Sequence, residues 1–239
     1  PEKVEFSADE LRGLPNSYIA NLKKNEQGQY LLGFDYPESL PFMQLADSDD
    51  ARKRYQIAYT RRGTEKNLVL LKQAIDLRYE LAQLFGYKSY ADWKLKNRMA
   101  QNPETVNQFL NEVHNIVTPL EKKEVQTLRE FKAKTLNISV EKAEINRWSE
   151  GYWSEKLRQE KYQIDQEKLR EYFPTQASQD WLFAISSNLY GIEFKPVKVE
   201  TWQNEVEYYD VTDKKTGQLL GGLYLDKFPR EGKYGHAAV

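Results

Sequence analysis

The sequence predicts a mainly α protein with a small antiparallel β-sheet near its C-terminus. Apolar residues recur at helical spacing through much of the chain, and no internal repeat or low-complexity linker interrupts it. The clearest strand signals are residues 206–211 and 219–225, which flank a turn-like DKKTG segment and so predict a β-hairpin. We therefore expect a predominantly helical region at residues 1–192 and a β-hairpin region at residues 193–239.

The first elements are a strand at residues 30–34 and a helix at residues 66–85. The apolar positions of this helix are spaced by three and four residues and share one face. They are Leu70, Ala74, Leu77, Leu81 and Leu84. Gly86 suits the left-handed position that ends a helix, and Ser89 is a candidate N-cap for the next one.

A long helix is predicted to begin at Asn102 and Pro103, a capping residue followed by proline at the first helical position. Its apolar stripe consists of Val106, Leu110, Val113, Val117, Leu120, Leu128 and Phe131. Pro119 has no N–H for the Asn115 carbonyl and its ring crowds that oxygen. We expect a bend or a break between Asn115 and Leu120.

The remaining elements lie toward the C-terminus. Residues 178–189 are predicted to be helical, with Ser178 as N-cap and Gly191 after the helix. Residues 194–199 are a candidate strand, which Pro196 would confine to a sheet edge because proline cannot donate to the ladder.

The composition excludes several classes of partner. The chain has 239 residues, of which 35 are basic and 36 acidic, so it has no positive excess to attract nucleic acid. No apolar run approaches the length of about 18 residues that a membrane span needs. The absence of cysteine rules out disulfides and thiolate metal sites and favours a reducing compartment, so we expect a cytoplasmic location. Aromatic residues make up 13% of the chain, which argues against disorder.

The histidines cannot form the zinc motif of the zincin peptidases. The chain has two histidines, His114 and His236, which are far apart. That motif, H-E-x-x-H, needs two histidines four positions apart on one helix face. We interpret His114, which lies beside the apolar stripe, as a structural residue.

Two groups of carboxylates are candidate sites. Asp47, Asp49 and Asp50 resemble the start of a calcium loop, but the glycine and glutamate that such a loop requires later are missing, so a helix N-terminus is favoured. Glu205 and Glu207 would share one strand face and could form a glycosidase-like pair. A solvated strand face is the favoured interpretation. No G-x-S-x-G or P-loop motif is present.

Several segments, in the same order along the chain, carry a family resemblance. They are LGFDYP (32–37), LAQLFGYKSYADWKLKNRMAQNPETVNQFL (81–110), RWSEGYWSEKLRQEKYQID (147–165), LREYFP (169–174), YGIEFKPV (190–197) and YLDKFPREGKYGHAA (224–238). This order is similar to that of the thimet oligopeptidase / oligopeptidase A family of zinc peptidases. Ser149 and Trp153 depart from the family pattern, which has Asp and Tyr there.

The resemblance implies a bilobal, mostly helical zincin-type metalloendopeptidase that hydrolyses short peptides with a zinc cofactor. In that family the H-E-x-x-H helix follows the last of these segments. We therefore expect this chain to be a middle fragment with no catalytic or zinc-ligating residue, inactive alone and without bound zinc.

The resemblance also suggests a substrate-binding segment, because zinc peptidases of this type hold peptide backbone along a sheet edge. The matching residues are Tyr234, Gly235, His236, Ala237 and Ala238. Loss of a neighbouring lobe would expose Leu223, Leu225, Phe228 and Tyr234, so self-association through the C-terminal edge is expected. The alternative is a free-standing, non-catalytic helical module that binds a peptide or protein.

Overall fold

The computed structural model describes residues 3–163, 166–230 and 232–234. Contacts divide the chain into two compact units, Pro1–Gln163 and Ile164–Val239. The sequence-based division into residues 1–192 and 193–239 is a different one and stays a prediction.

The first unit combines a small sheet with helices. Its strands are β1 (Val4–Phe6), β2 (Lys23–Lys24) and β3 (Tyr30–Leu32), and its helices are α1 (Asn16–Ala20), α2 (Tyr36–Leu45), α3 (Asp49–Thr60), α4 (Thr64–Leu84), α5 (Tyr90–Leu95), α6 (Pro103–Leu136) and α7 (Glu150–Tyr162). The second unit contains α8 (Gln166–Arg170), α9 (Thr175–Tyr190), β4 (Ile192–Pro196), β5 (Glu207–Asp213) and β6 (Leu219–Leu225).

The predicted fold class is confirmed: more than half of the chain is helical, and a small antiparallel sheet lies near the C-terminus. That sheet has the order β4-β5-β6, with the predicted hairpin formed by β5 and β6. Strand β4, which contains Pro196, lies at the edge as expected.

A second antiparallel sheet, of order β1-β3-β2, lies at the N-terminus and was not predicted apart from β3. Its strands have two or three residues each, too few for an alternating pattern to stand out. Val4 and Phe6 point inward while Glu5 points out. Phe6 packs on Phe42 of α2, with ring centroids 4.6 Å apart, so the sheet and helices share one core.

Side-chain caps fix the starts of three helices. Ser48 Oγ accepts from Ala51 N at 3.2 Å and begins α3. Ser89 Oγ accepts from Asp92 N at 3.2 Å, and Asn102 Oδ1 accepts from Thr105 N at 2.8 Å. The last two caps confirm the predicted starts of α5 and α6.

Two helix predictions are wrong in part. Helix α9 begins at Thr175 after Pro174, so Ser178 lies in the first turn, where its N–H donates to the Pro174 carbonyl at 2.9 Å, and it is not the N-cap. Helix α6 continues through Pro119 without a break. Proline removes one hydrogen bond of a 34-residue helix, and the turns on either side remain bonded. A bend at this position stays a prediction.

Candidate functional site

The C-terminal sheet is held in place by an aromatic contact with α9. Phe183 stacks on Phe194 of β4 with ring centroids 4.2 Å apart. It also meets Tyr209 of β5 edge-on at 4.8 Å. Helix α9 thus packs on the sheet through side chains from two neighbouring strands.

A polar cluster connects Glu207, at the start of β5, to Lys227 and α9. Glu207 Oε1 lies 2.7 Å from Lys227 Nζ. Its Oε2 accepts from Gln179 Nε2 at 2.9 Å and from the Tyr209 hydroxyl at 2.8 Å. Lys227 also donates to Gln179 Oε1 at 2.5 Å, so the buried Gln179 is bonded at both ends of its amide.

This cluster favours the ionised form of the Glu207 carboxyl. The hydrogen bond from Lys227 and then that from Gln179 lower the pKa of this carboxyl from its ordinary value. A carboxylate held in this way does not suit the acid role in a glycosidase pair, which requires a raised pKa. The expectation that Glu205 shares its strand face is wrong, because β5 begins at Glu207.

A turn centred on Asp226 follows β6. Arg230 donates two hydrogen bonds, of 2.7 and 2.8 Å, to the Asp226 carboxylate. Lys233 Nζ adds a contact of 3.0 Å to the carboxylate and donates to the Asp226 and Phe228 carbonyls at 2.6 and 2.9 Å. Trp202 Nε1 donates to Asp226 at 3.0 Å. These donors, Arg230 foremost, hold the pKa of Asp226 well below its usual range.

The predicted peptide-binding segment begins directly after this turn. Tyr234 is 93% exposed, whereas Gly235, His236, Ala237 and Ala238 lie outside the described residues. Of the apolar residues expected to be uncovered, Phe228 is exposed, whereas Leu223 and Leu225 are half-buried. Within the described ranges β6 pairs with β5 alone, so its other edge has no strand partner there.

The aspartates near α3 have structural contacts. Ser48 caps the helix, Asp49 and Asp50 lie in its first turn, and Asp49 pairs with Arg52 at 2.8 Å. Asp47 accepts a hydrogen bond of 2.9 Å from the Tyr152 hydroxyl. Burial and this hydrogen bond raise the pKa of Tyr152 to about 12. The helix-terminus interpretation is confirmed for Asp49 and Asp50.

No group of three or more His, Cys, Asp or Glu that could hold a metal occurs in the part of the chain that the structure describes. His114 is exposed on α6, with Thr118 Oγ1 3.3 Å from its Nδ1. None of the helices within the described ranges is long and apolar enough to cross a membrane.

The sequence did not reveal the Glu207 and Asp226 clusters. Their partners are separated by up to 48 residues, and no local motif connects them. The only sequence signal was the run DKFPREGK inside the last resembling segment, of which Asp226, Arg230 and Lys233 form the ion pairs of the Asp226 turn.

The architecture is therefore a mainly helical one, with a hairpin sheet whose last strand leads into an ion-paired turn. The sequence model of peptidase family M3 matches residues 42–239, and the chain belongs to this family. The resemblance to thimet oligopeptidase and oligopeptidase A is confirmed.

Curated relatives align with nearly the whole chain. Saccharolysin from Saccharomyces cerevisiae is 32% identical over 99% of this chain and 35% of its own length. Oligopeptidase A from Escherichia coli is 34% identical over 98% of this chain and 36% of its own length. A probable cytosolic oligopeptidase A from Arabidopsis thaliana is 30% identical over 96% of the chain and 34% of its length. The chain thus spans about a third of the relatives that it matches.

Proposed function

We propose that this chain is part of a zinc-dependent metalloendopeptidase that hydrolyses short peptides. The observation that carries the proposal is the family match over residues 42–239, together with relatives named as oligopeptidases that align with almost the whole chain. The proposed location is the cytoplasm, in line with a relative named as cytosolic and with the absence of cysteine.

The described residues of this chain do not fit a zinc centre. Zinc in such enzymes takes three protein ligands and a water. This sequence offers two distant histidines and no cysteine, and the described residues contain no cluster of three ligands. In the proposal, the zinc ligands and the general base therefore belong to other residues of a longer polypeptide, and this chain alone is inactive.

The proposed contribution of this chain is to bind substrate. A peptide adds a strand to a sheet edge through main-chain hydrogen bonds, and the segment that resembles the family's edge strand is Tyr234 to Ala238. The Asp226 turn lies immediately before it. Arg230 and Lys233 both bind the Asp226 carboxylate and so stabilise this turn. The turn connects the end of β6 to the start of the proposed substrate-binding segment.

The test is peptide cleavage by the longer polypeptide encoded in the same reading frame. We expect cleavage of a quenched short peptide, its loss with a chelator and its return with zinc. A reading frame that lacks H-E-x-x-H, with a chain that binds peptides but leaves them intact, would replace the proposal with the non-catalytic binding module.

A further inference from the structure

The helices α4 and α6 have apolar side chains that the described residues of their own unit leave exposed. Of the 21 residues of α4, only Ala82 is buried. The buried residues of α6 are Leu128, Phe131 and Ala133, all in its C-terminal third. Twelve of the exposed large apolar side chains of the two helices form what we call the apolar helix surface. They are Leu68, Val69, Leu70, Leu71, Ile75, Leu77, Phe109, Leu110, Val113, Ile116, Val117 and Leu120.

The distribution of these residues around α4 shows what kind of partner they fit. Leu68, Val69, Leu70 and Leu71 are consecutive, and each is about half exposed or more. Consecutive helical residues are about 100° apart, so these four side chains surround the helix. This one turn of α4 is apolar on all sides, a pattern typical of a helix in the interior of a larger protein, whereas the rest of the helix also carries polar residues.

On α6 the apolar stripe is wider than a two-stranded coiled coil requires. Leu110, Val113, Val117 and Leu120 follow the spacing of three and four residues of such a seam. Phe109 and Ile116 broaden it on one side, with exposures of 62% and 69%. A stripe of this width is typical of a helix that packs in a globular core.

The lengths of the relatives indicate what covers the apolar helix surface in the longer polypeptide. Saccharolysin and the E. coli oligopeptidase A align with almost all of this chain, yet about two thirds of each lies outside the alignment.

A second copy of this chain is a poorer partner for the apolar helix surface. Because a two-fold dimer contact uses one patch on each copy, it would leave the other sides of α4 exposed.

We infer that α4 and the first two thirds of α6 are core helices of a larger body, and that the apolar helix surface binds further residues of the same polypeptide. This inference rests on the proposed function, because it requires the longer enzyme. The partner is an apolar protein surface that encloses α4 from several sides.

The experiment places one charge on each helix and compares two proteins. Leu71→Glu on α4 and Ile116→Glu on α6 are made in this chain and in the longer polypeptide. The matched controls are Gln73→Glu and Asn111→Glu, at exposed polar positions of the same helices. Melting temperature is measured for all of them, together with binding of a hydrophobic dye to this chain.

In this chain we expect unchanged melting temperatures and weaker dye binding for Leu71→Glu and Ile116→Glu. In the longer polypeptide the same two substitutions are expected to lower the melting temperature by several degrees or to prevent folding, because they bury a charge. The control substitutions are expected to leave the melting temperature of both proteins unchanged.

Three results would overturn the inference. A lower melting temperature in this chain would mean that its own residues cover the surface. A defined dimer that both substitutions dissociate would assign it to a second copy. A longer polypeptide that tolerates both substitutions would show that the surface faces solvent. The peptide-cleavage assay is independent: a longer polypeptide that these substitutions destabilise but that cleaves no peptide would refute the proposed function alone.

Discussion

The side chain of Arg52 is charged and almost fully buried in the first unit, with 1% of its surface exposed. It pairs with Asp49, donates to the Ala46 carbonyl, and donates to the Trp148 carbonyl at 3.1 Å. Its guanidinium also lies 4.1 Å from the ring centre of Tyr152. One side chain thus joins the end of α2 to the segment that leads into α7.

Replacing this side chain tests its structural role. Arg52→Met is expected to lower the free energy of unfolding by about 3 kcal/mol, because two carbonyls lose their donor in a buried setting. Lys53→Met is the matched control: Lys53 is exposed and lies 5.1 Å from the Trp148 ring, a contact that contributes about 0.5 kcal/mol. Urea denaturation measures both, and equal effects would contradict the role given to Arg52.

Glu207 makes the second unit sensitive to acid. Its folded-state pKa is lowered from 4.5, so the stabilisation it provides is present above that value. It is lost as the pH falls through the folded-state pKa. Glu207→Gln is therefore expected to lower the melting temperature at neutral pH and to flatten its pH dependence below 4.5. Melting followed by circular dichroism across that range is the measurement.

The exposed Glu200→Gln is the control for this experiment and is expected to leave the pH profile unchanged. A Glu207→Gln protein with the pH profile of the original chain would show that the Lys227 and Gln179 contacts do not stabilise the fold.

At the level of single elements, α6 shows that a strong helical pattern outweighs one unfavourable residue. Pro119 lies inside this helix, whereas Pro103 occupies its first position. Pro119→Ala restores an N–H to the Asn115 carbonyl and removes the ring clash, so we expect a gain of about 3 kcal/mol in helix stability.

Pro103→Ala provides the comparison within the same helix. A proline at the first helical position loses no intrahelical hydrogen bond, so this substitution is expected to leave the stability of the helix nearly unchanged. Thermal unfolding compares the two variants. A Pro119→Ala protein no more stable than the original would mean that the helix accommodates the ring without cost.

Helices were predictable from the sequence where apolar spacing and a capping residue coincide. Asn102 before Pro103 and Ser89 before α5 are such positions, and the structure confirms them. The hairpin was predictable because the turn-like DKKTG segment separates two strand-like segments. Ser178 was misassigned because it is a good capping residue, but Pro174, four residues earlier, already allows the helix to begin.

Part of the candidate site was not predictable, because it depends on pairs that are distant in sequence. Lys227 meets Gln179 across 48 residues, and only the packing of α9 on the sheet brings them together. The last segment was found through its family resemblance, whereas the role of Asp226 in closing the turn required the structure.

At the scale of the whole molecule, the edge of β6 that has no strand partner among the described residues predicts self-association. Unpaired strand edges recruit other chains, and Leu219, Leu220 and Tyr224 of this strand are exposed. Sedimentation of this chain is expected to show association that rises with concentration and is weakened by Tyr224→Lys. A clean monomer at high concentration would argue against an open edge in solution.

The central proposal is that this chain is part of a zinc peptidase whose zinc ligands lie in other residues of the longer polypeptide. Its most direct test is equilibrium dialysis of this chain against zinc, followed by metal analysis and incubation with a quenched peptide. We predict no stoichiometric zinc and no cleavage, because the two histidines are far apart in sequence and the described residues contain no group of three side chains that could hold a metal. One tightly bound zinc ion per chain, or cleavage that a chelator abolishes, would contradict the account.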